Sequence, residues 1–409
     1  MRASSLLRQI LGISGLVVRS FQFRDDVGLV CAVEPTARRS RCAACGRKCP
    51  RYDRHASSLW RHLNAGCTRV FVEYAPWRVT CRRCGTGPRV ERLPWATAGS
   101  RFTYLFEDVV GWLVQHNDKT AVTALMGIAW RTVGRIVERV VARRRDAVDF
   151  RGLRAISIDE LSWRKGHRYL TLVVDLDTQR VVWGMEGKTS EAAGAFFAEI
   201  GEDARAAIEH VAIDMSAAYR KAITEWLPHA KIVYDRFHVQ QLVGDAVDEV
   251  RRIEWRSLQG TREGSTIKGL RYPLLKQPWM LSDDEASKLA ELQVTNRRLF
   301  RAYLLKETIC HIFRGLPTPR TAARKLAGWL DWASRSRLAP FVRVAQTIRS
   351  CLDGVLGYFE TGFTTSPHEG MNNKARLATR QAYGFHSARA ALAIIDLRCT
   401  GLHIPLPVR

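Results

Sequence analysis

Three acidic residues stand where carboxylates from distant parts of the chain could meet. Asp159 lies in ISIDELSW and Asp214 in VAIDMSAAY, each at the end of an apolar run that predicts a β-strand. Glu369 lies in SPHEGMNNK, which predicts a helix. Side chains at the ends of neighbouring parallel strands converge even when far apart in sequence. Two aspartates and a third carboxylate are the donor set for paired Mg²⁺ (or Mn²⁺) ions. Such ions activate a water or 3′-hydroxyl and stabilise the leaving oxygen of a phosphodiester. A fourth acid, Asp235 in YDRFHV, ends another predicted strand and competes with Asp214 for the second place. His238, three residues on, could orient Asp235 or meet a phosphate. Each acid also has a purely structural reading. Asp214 could cap the helix that follows, Asp159 could sit in a polar turn, and Glu369 completes a capping-box sequence with Ser366. Their joint placement at strand ends is what points to catalysis.

The surroundings of Glu369 add to this. At helical spacing Glu369, Asn372, Asn373 and Arg376 share a face, with Lys374 and Arg380 nearby. An acid among amides and cations suits a site that handles phosphate. A solvated helix face is the alternative.

Four of the ten cysteines form a second constellation. Cys42/Cys45 and Cys81/Cys84 are two CxxC pairs, each followed directly by a glycine, Gly46 or Gly85. Each CxxC turn puts two sulfurs on one side, and two such turns complete a tetrahedral cage for Zn²⁺. Cys49, Cys67 and His62 lie between the pairs as substitute ligands. Four protein ligands leave no open position, so such a site is structural.

A third motif concerns DNA. TAVTALMGIAWRTVGRIVERVVARRR predicts a helix, a break at Gly127 and a second helix carrying Arg131, Arg135 and Arg139 on one face. That suits a recognition helix in the major groove. A plain helical hairpin is the alternative.

The elements that must position these groups follow from the patterning. GLVVRSFQF and GLVCAVEP predict strands within residues 1–40, and FTYLFEDVVGWLVQ predicts a helix. From residue 153 three strands, a helix, a strand, a helix and a fifth strand predict a mixed α/β sheet. Asp159 is expected to end the first of these strands and Asp214 the fourth. Residues 239–360 read as mostly helical.

Composition sets the bounds. A chain of 409 residues suggests two or three domains, and 46% apolar residues exclude wholesale disorder. Sixty-four Lys and Arg against 40 Asp and Glu give a formal charge of +24, which favours a polyanionic partner without specifying sequence. No run approaches the roughly 20 apolar residues of a membrane span. Arg8 interrupts the apolar start, and no small-residue cleavage site follows. A cytoplasmic, nucleoid-associated protein without a membrane partner is expected. No arrangement of residues supplies the covalent nucleophile of a serine or tyrosine recombinase.

Taken together, CAACG, CRRCG, IDELSWRKGHRYLTLVVDLDTQRVV, IDMSAAYRKAI, PHAKIVYDRFHVQQL and EGMNNKARLATRQAYGF resemble the ISL-three family of bacterial insertion-sequence transposases, in the family's order and over most of the chain. The resemblance implies an α/β, RNase H-like mixed sheet with a large helical insertion, preceded by a small zinc-binding β unit and a helix-turn-helix. The expected parts are a zinc ribbon-like unit at 1–95, the helix-turn-helix at 96–150, and a DDE catalytic domain at 151–400 with an all-helical insertion at about 239–365. Asp159 is implied as the first catalytic acid and Glu369 as the last. Asp214 is carried over as the second because that acid follows the fourth strand of the fold. Asp235 and His238 would then support it. The implied activity is binding of double-stranded DNA at the terminal inverted repeats, metal-dependent strand cleavage, and transfer into target DNA, by a homodimer or larger assembly. Two rivals are a sequence-specific DNA-binding regulator on an inactive scaffold and a structure-selective nuclease. The full set of acids counts against the first, and a strand-transfer assay separates the second.

Overall fold

A computed structural model describes residues 3–145, 150–164, 166–363, 366–380 and 385–407, and the backbone alone for Thr86 and residues 366–369. The chain divides into two compact units, Met1–Val148 with Ala378–Arg409, and Asp149–Leu377.

The first unit opens with a helix, α1 (Ala3–Leu11), in a stretch where strands alone were expected. Leu7 and Leu11 recur at i, i+4 and pack into the core beneath, while Leu6 and Ile10 stay exposed. The strands are β1 (Leu16–Arg24), β2 (Gly28–Pro35), β3 (Arg51–Arg54), β4 (Ser58–Ala65), β5 (Thr68–Tyr74), β6 (Trp77–Cys81) and β7 (Thr86–Val90). They form a four-stranded sheet in the order β1-β2-β5-β4 and a small sheet β3-β6-β7. Trp95 is 1% exposed and anchors the core of the larger sheet. The edges of Trp60 and Tyr74 meet it at 5.9 and 5.5 Å between ring centres, the offset geometry that aromatic quadrupoles favour.

Three helices follow, α2 (Tyr104–His116), α3 (Lys119–Met126) and α4 (Trp130–Arg145). Asp118 caps α3 by accepting from the Ala121 N–H at 2.9 Å, and Gly127 ends it with φ of 61°. A left-handed residue at this point turns the chain sharply into α4, as the glycine in the sequence required. Val122, Val133, Ile136, Val137 and Val140 lock the two helices together.

The second unit is built on β8 (Ala155–Arg164), β9 (Arg168–Asp175), β10 (Arg180–Glu186), β11 (His210–Ile213) and β12 (Lys231–Tyr234), with α5 (Ser190–Ala207) and α6 (Ala217–Trp226) as crossovers. Sheet order is β10-β9-β8-β11-β12. The first three strands are antiparallel, whereas β8, β11 and β12 run parallel. The parallel strands read as continuous apolar runs because both their faces are covered. One expectation fails here: Asp159 does not end its strand. Parallel pairing with β11 stops at Ile158↔Ile213, but β8 runs on to Arg164 as one arm of a hairpin with β9.

A run of helices then fills residues 236–361: α7 (Arg236–Ser257), α8 (Arg262–Gly269), α9 (Arg271–Leu275), α10 (Asp283–Thr295), α11 (Arg297–Arg314), α12 (Pro319–Arg335), α13 (Ala339–Ser350) and α14 (Leu352–Thr361). The last covers β12. A side chain at Gly354 would collide with the Tyr234 ring, so a glycine there lets helix and strand touch. Next comes α15 (Ser366–Arg380), within which the division between units falls, and then α16 (Ala388–Cys399). Within the first unit α16 packs on α4 and α2. The Arg398 guanidinium donates to the carbonyls of Val114 and Asn117 at the end of α2, groups with no partner inside that helix. Among the described residues no helix is long and apolar enough to cross a membrane.

Candidate active site, metal cluster and DNA-binding helices

The four cysteines of the two CxxC pairs come together in the first unit. Their sulfurs all lie within 4.8 Å of one another, with Cys42 to Cys84 at 3.9 Å and Cys45 to Cys81 at 3.6 Å. A tetrahedron of thiolates around Zn²⁺ has sulfurs about 3.8 Å apart, so the set fits that ion. The glycines explain the turns. The N–H of Gly46 donates to Cys42 O at 2.9 Å, and that of Gly85 to Cys81 O at 3.1 Å, both with left-handed φ. The Cys81 thiol is pulled down to about 6, chiefly by the backbone N–H of Cys84, so it ionises most readily, as a ligand must. Of the three substitutes, Cys49 stands beside the cluster, and its thiol is raised by burial and by Cys81. The other two lie elsewhere. Cys67 is exposed. His62 is buried on β4, bonded to Thr103 Oγ1 at 2.9 Å and pushed down to about 4 by desolvation, a neutral structural histidine.

On α4, Arg131 and Arg135 are exposed. Arg139 departs from the expected trio. Its Nε donates to Glu107 Oε1 at 2.7 Å, and Glu107 is fully buried. Arg143 bonds the same carboxylate at 3.2 Å and also pairs with Asp108. These buried acids on α2 claim Arg139 because an uncompensated carboxylate in the core is costly. Helical spacing alone could not reveal that demand.

In the second unit the parallel register sets Asp159 beside Asp214, since Ile158 is level with Ile213. The two carboxylates feel each other: burial first, then Asp159, raises Asp214, while Asp159 is raised by burial. Asp214 Oδ1 accepts from the Ser216 N–H at 3.0 Å, which turns the chain into α6. Asp159 Oδ1 accepts from the Glu160 N–H at 2.7 Å, and its Oδ2 accepts from Asn372 Nδ2, also at 2.7 Å. Asn372 is 3% exposed, and its own Oδ1 is buried without a hydrogen-bond partner among the described residues. Glu369 lies one turn before Asn372 on α15; its side chain, like that of Ser366, is outside the described residues. Arg376 and His238 both draw Asp159 down electrostatically. Lys374, Arg376 and Arg380 are exposed, as is Asn373.

An open cleft of about 410 Å³ lies against Asp214 and His238, lined also by Glu160, Lys188, Gln241 and Asp245 among others. Like Asp159, Asp235 is not one of its lining residues. It is 2% exposed and stands at the N-terminus of α7. Two lining residues, Glu160 and Lys188, escaped the sequence reading. Glu160 neighbours Asp159, and strand alternation would send it to the opposite face. Glu160 nonetheless lines the cleft, beyond Ile158 where the pairing of β8 with β11 ends. Burial raises Glu160, and Lys188 opposes the rise.

Known proteins bear on this arrangement. The DDE family model of ISL3 type, described as “Transposase”, matches residues 156–395. A model described as “Helix-turn-helix domain of transposase family ISL3” matches residues 91–141. A Mycobacterium tuberculosis protein, transposase for insertion sequence element IS1557, is 37% identical over 440 aligned positions covering 100% of this chain and 98% of the relative. A Bordetella parapertussis protein, transposase for insertion sequence element IS1001, is 31% identical over 387 positions, 93% of this chain and 94% of the relative. The chain therefore belongs to the ISL3 family of insertion-sequence transposases, in which a helix-turn-helix domain for DNA binding is joined to a DDE domain for metal-dependent cutting and transfer of DNA strands.

Proposed function

We propose that Asp159, Asp214 and Glu369 are the catalytic acids of this transposase, on an RNase H-like sheet, and that they hold Mg²⁺ or Mn²⁺. One observation carries the reading: Asn372 of α15 hydrogen-bonds the Asp159 carboxylate, which supports placing the Glu369 helix at the acids of β8 and β11. The donor set suits a hard divalent cation, being carboxylate oxygens whose mutual repulsion a cation would relieve. The orphaned Asn372 Oδ1 offers a further oxygen to a cation or its water. When bound, the metal polarises the scissile phosphate and activates the attacking oxygen. Asn372 and the Glu160 N–H orient Asp159, the Ser216 N–H orients Asp214, and His238 faces both acids from α7. Asp235 stands at the N-cap of α7 without a side-chain capping bond and is not a ligand in this reading.

The four-cysteine cluster holds Zn²⁺ as a structural ion. The domains are a zinc ribbon-like unit at 1–95, a helix-turn-helix at 96–150 and the catalytic domain from 151, interrupted by the helical run. The N-terminal parts bind the element's inverted repeats, with Arg131 and Arg135 on the DNA. Lys374, Arg376 and Arg380 meet DNA near the active site. Two ends must be held at once, so the working form is a dimer or larger, acting on cytoplasmic, nucleoid DNA.

The test is cleavage of DNA carrying the cognate element end, with Mg²⁺. Wild type should cut and transfer strands. Asp159→Ala, Asp214→Ala and Glu369→Ala should bind the end yet cut at least about 100-fold more slowly, since metal-assisted stabilisation is worth several kcal/mol. An Asp214→Ala enzyme that still cuts, beside an Asp235→Ala enzyme that folds and does not, would move the second acid to Asp235.

A further inference from the structure

The cleft holds one lysine to which the catalytic reading gives no task. Among the described residues lining it, Lys188 is the sole side chain with a permanent positive charge, facing Glu160, Asp214 and Asp245, with His238 opposite. Its position is built rather than incidental. Gly187 has φ of +119°, a conformation that side chains rarely adopt. Its N–H donates to Tyr169 O at 2.9 Å, and its carbonyl accepts from Thr171 Oγ1 at 2.8 Å. Thr171 is the β9 partner of Glu160, so the stem of Lys188 starts level with the acids.

The ammonium itself is held loosely. It lies 3.7 Å from Glu160 Oε1 and 4.1 Å from the centre of the Tyr169 ring, and the side chain is 49% exposed. A charge-assisted hydrogen bond is about 2.7–2.9 Å long, and exposed pairs of longer reach contribute little. Such a cation is poised to exchange one anion for another. A DNA strand entering this cleft meets several carboxylates. Metal at Asp159 and Asp214 offsets part of the repulsion, and among the described residues lining the cleft Lys188 offsets that from Glu160.

We propose that Lys188 binds a backbone phosphate of the DNA strand next to the one being cut, and that Glu160 is a positioning residue that holds the lysine over the cleft until DNA arrives. This rests on the acids of the cleft being the catalytic ones.

The experiment uses the full-length protein, DNA carrying the element end, and Mg²⁺. Single-turnover cleavage and the salt dependence of DNA binding are measured for Lys188→Met, Lys188→Arg, Glu160→Gln and the Glu160→Gln/Lys188→Met double variant, beside Asp159→Ala. Lys188→Met should cut about tenfold or more slowly and lower the slope of log K against log salt by about 0.9, the share of one phosphate. Lys188→Arg should recover most of the rate, and the double variant should stay as slow as Lys188→Met. Wild-type rate and slope in Lys188→Met would overturn the proposal. So would recovery of the wild-type rate by the double variant, which would make Lys188 merely the neutraliser of Glu160. If Asp159→Ala cuts like wild type, the catalytic reading itself falls and takes the proposal with it, a failure visible without any Lys188 variant.

Discussion

Replacing Asn372 with leucine removes one hydrogen-bond donor and keeps the number of heavy atoms in the side chain. The donor meets Asp159 Oδ2 at 2.7 Å, and Asn372 is 3% exposed, so no water can readily take its place. A hydrogen bond to a charged group contributes about 1.5–3 kcal/mol. At roughly 1.4 kcal/mol per tenfold, Mg²⁺ should bind about 10- to 150-fold more weakly once Asp159 loses this partner. Asp159 should also take up a proton more readily, since Asn372 is one of the groups that draw it down. Cleavage should fall further than metal affinity, because the α15 contact also sets the position of Glu369, and a shift of about 1 Å in such a group costs about 100-fold. The assay is a Mg²⁺ titration of single-turnover cleavage beside a thermal melt. Wild-type Mg²⁺ dependence and rate in a folded Asn372→Leu protein would refute the reasoning and remove α15 from the site.

Other consequences can be checked in parallel. Wild type should retain about one equivalent of zinc, and Cys81→Ser should lose it together with the fold of the small β3-β6-β7 sheet, because structural zinc binding is itself folding energy. Cys49→Ser should keep the metal by elemental analysis. Arg131→Ala and Arg135→Ala should each weaken end binding and shallow its salt slope by up to about 0.9. Arg139→Met should instead cost about 1–3 kcal/mol of stability without changing that slope, because its partner is the buried Glu107. Burial raises Asp159, Asp214 and Glu160. A raised carboxyl adds stability below its unfolded value and loses it as pH rises through its folded value. Metal-free Asp159→Asn/Asp214→Asn should therefore melt above wild type at neutral pH, with the gap closing as pH falls into the ordinary carboxylate range. No gap at neutral pH would mean that the two acids are not strained.

What the sequence made legible was local. The Gly127 break, the CxxC-Gly turns and the apolar runs of β11 and β12 depend on neighbours within a few residues, and each sits where its pattern placed it. The α1 helix was missed because two patterns overlap at the start of the chain, and the valine-rich stretch of β1 that follows has the stronger period. The extension of β8 past Asp159 was missed for a different reason. A strand ends where its partners end, and the partner that continues is β9, whereas the one that stops is β11, some fifty residues away. The fate of Arg139 likewise depended on Glu107, whose complete burial no helical period of α4 could announce. Glu160 and Lys188 come together in the cleft from β8 and from the turn after β10, a pairing that depends on the sheet and not on either local stretch.

Charge in this transposase works in two opposed directions. The chain carries a formal +24, yet the cleft beside Asp214 is walled by Glu160, Asp214 and Asp245. The long-range field gathers DNA wherever a strand can lie and needs no metal to do so. At the cleft the same strand is repelled until the carboxylates are neutralised, and burial, with neighbouring carboxylates after it, raises Glu160 and Asp214. Binding and cutting are thereby separated on physical grounds. On the proposed assignment, arginines of α4 hold an element end before any metal enters, while a phosphate settles against the acids only when a cation has satisfied them. If the working form holds two DNA ends before cutting, as proposed, it gains from that order, because the step that commits the DNA waits on a local charge balance that the recruiting field cannot supply.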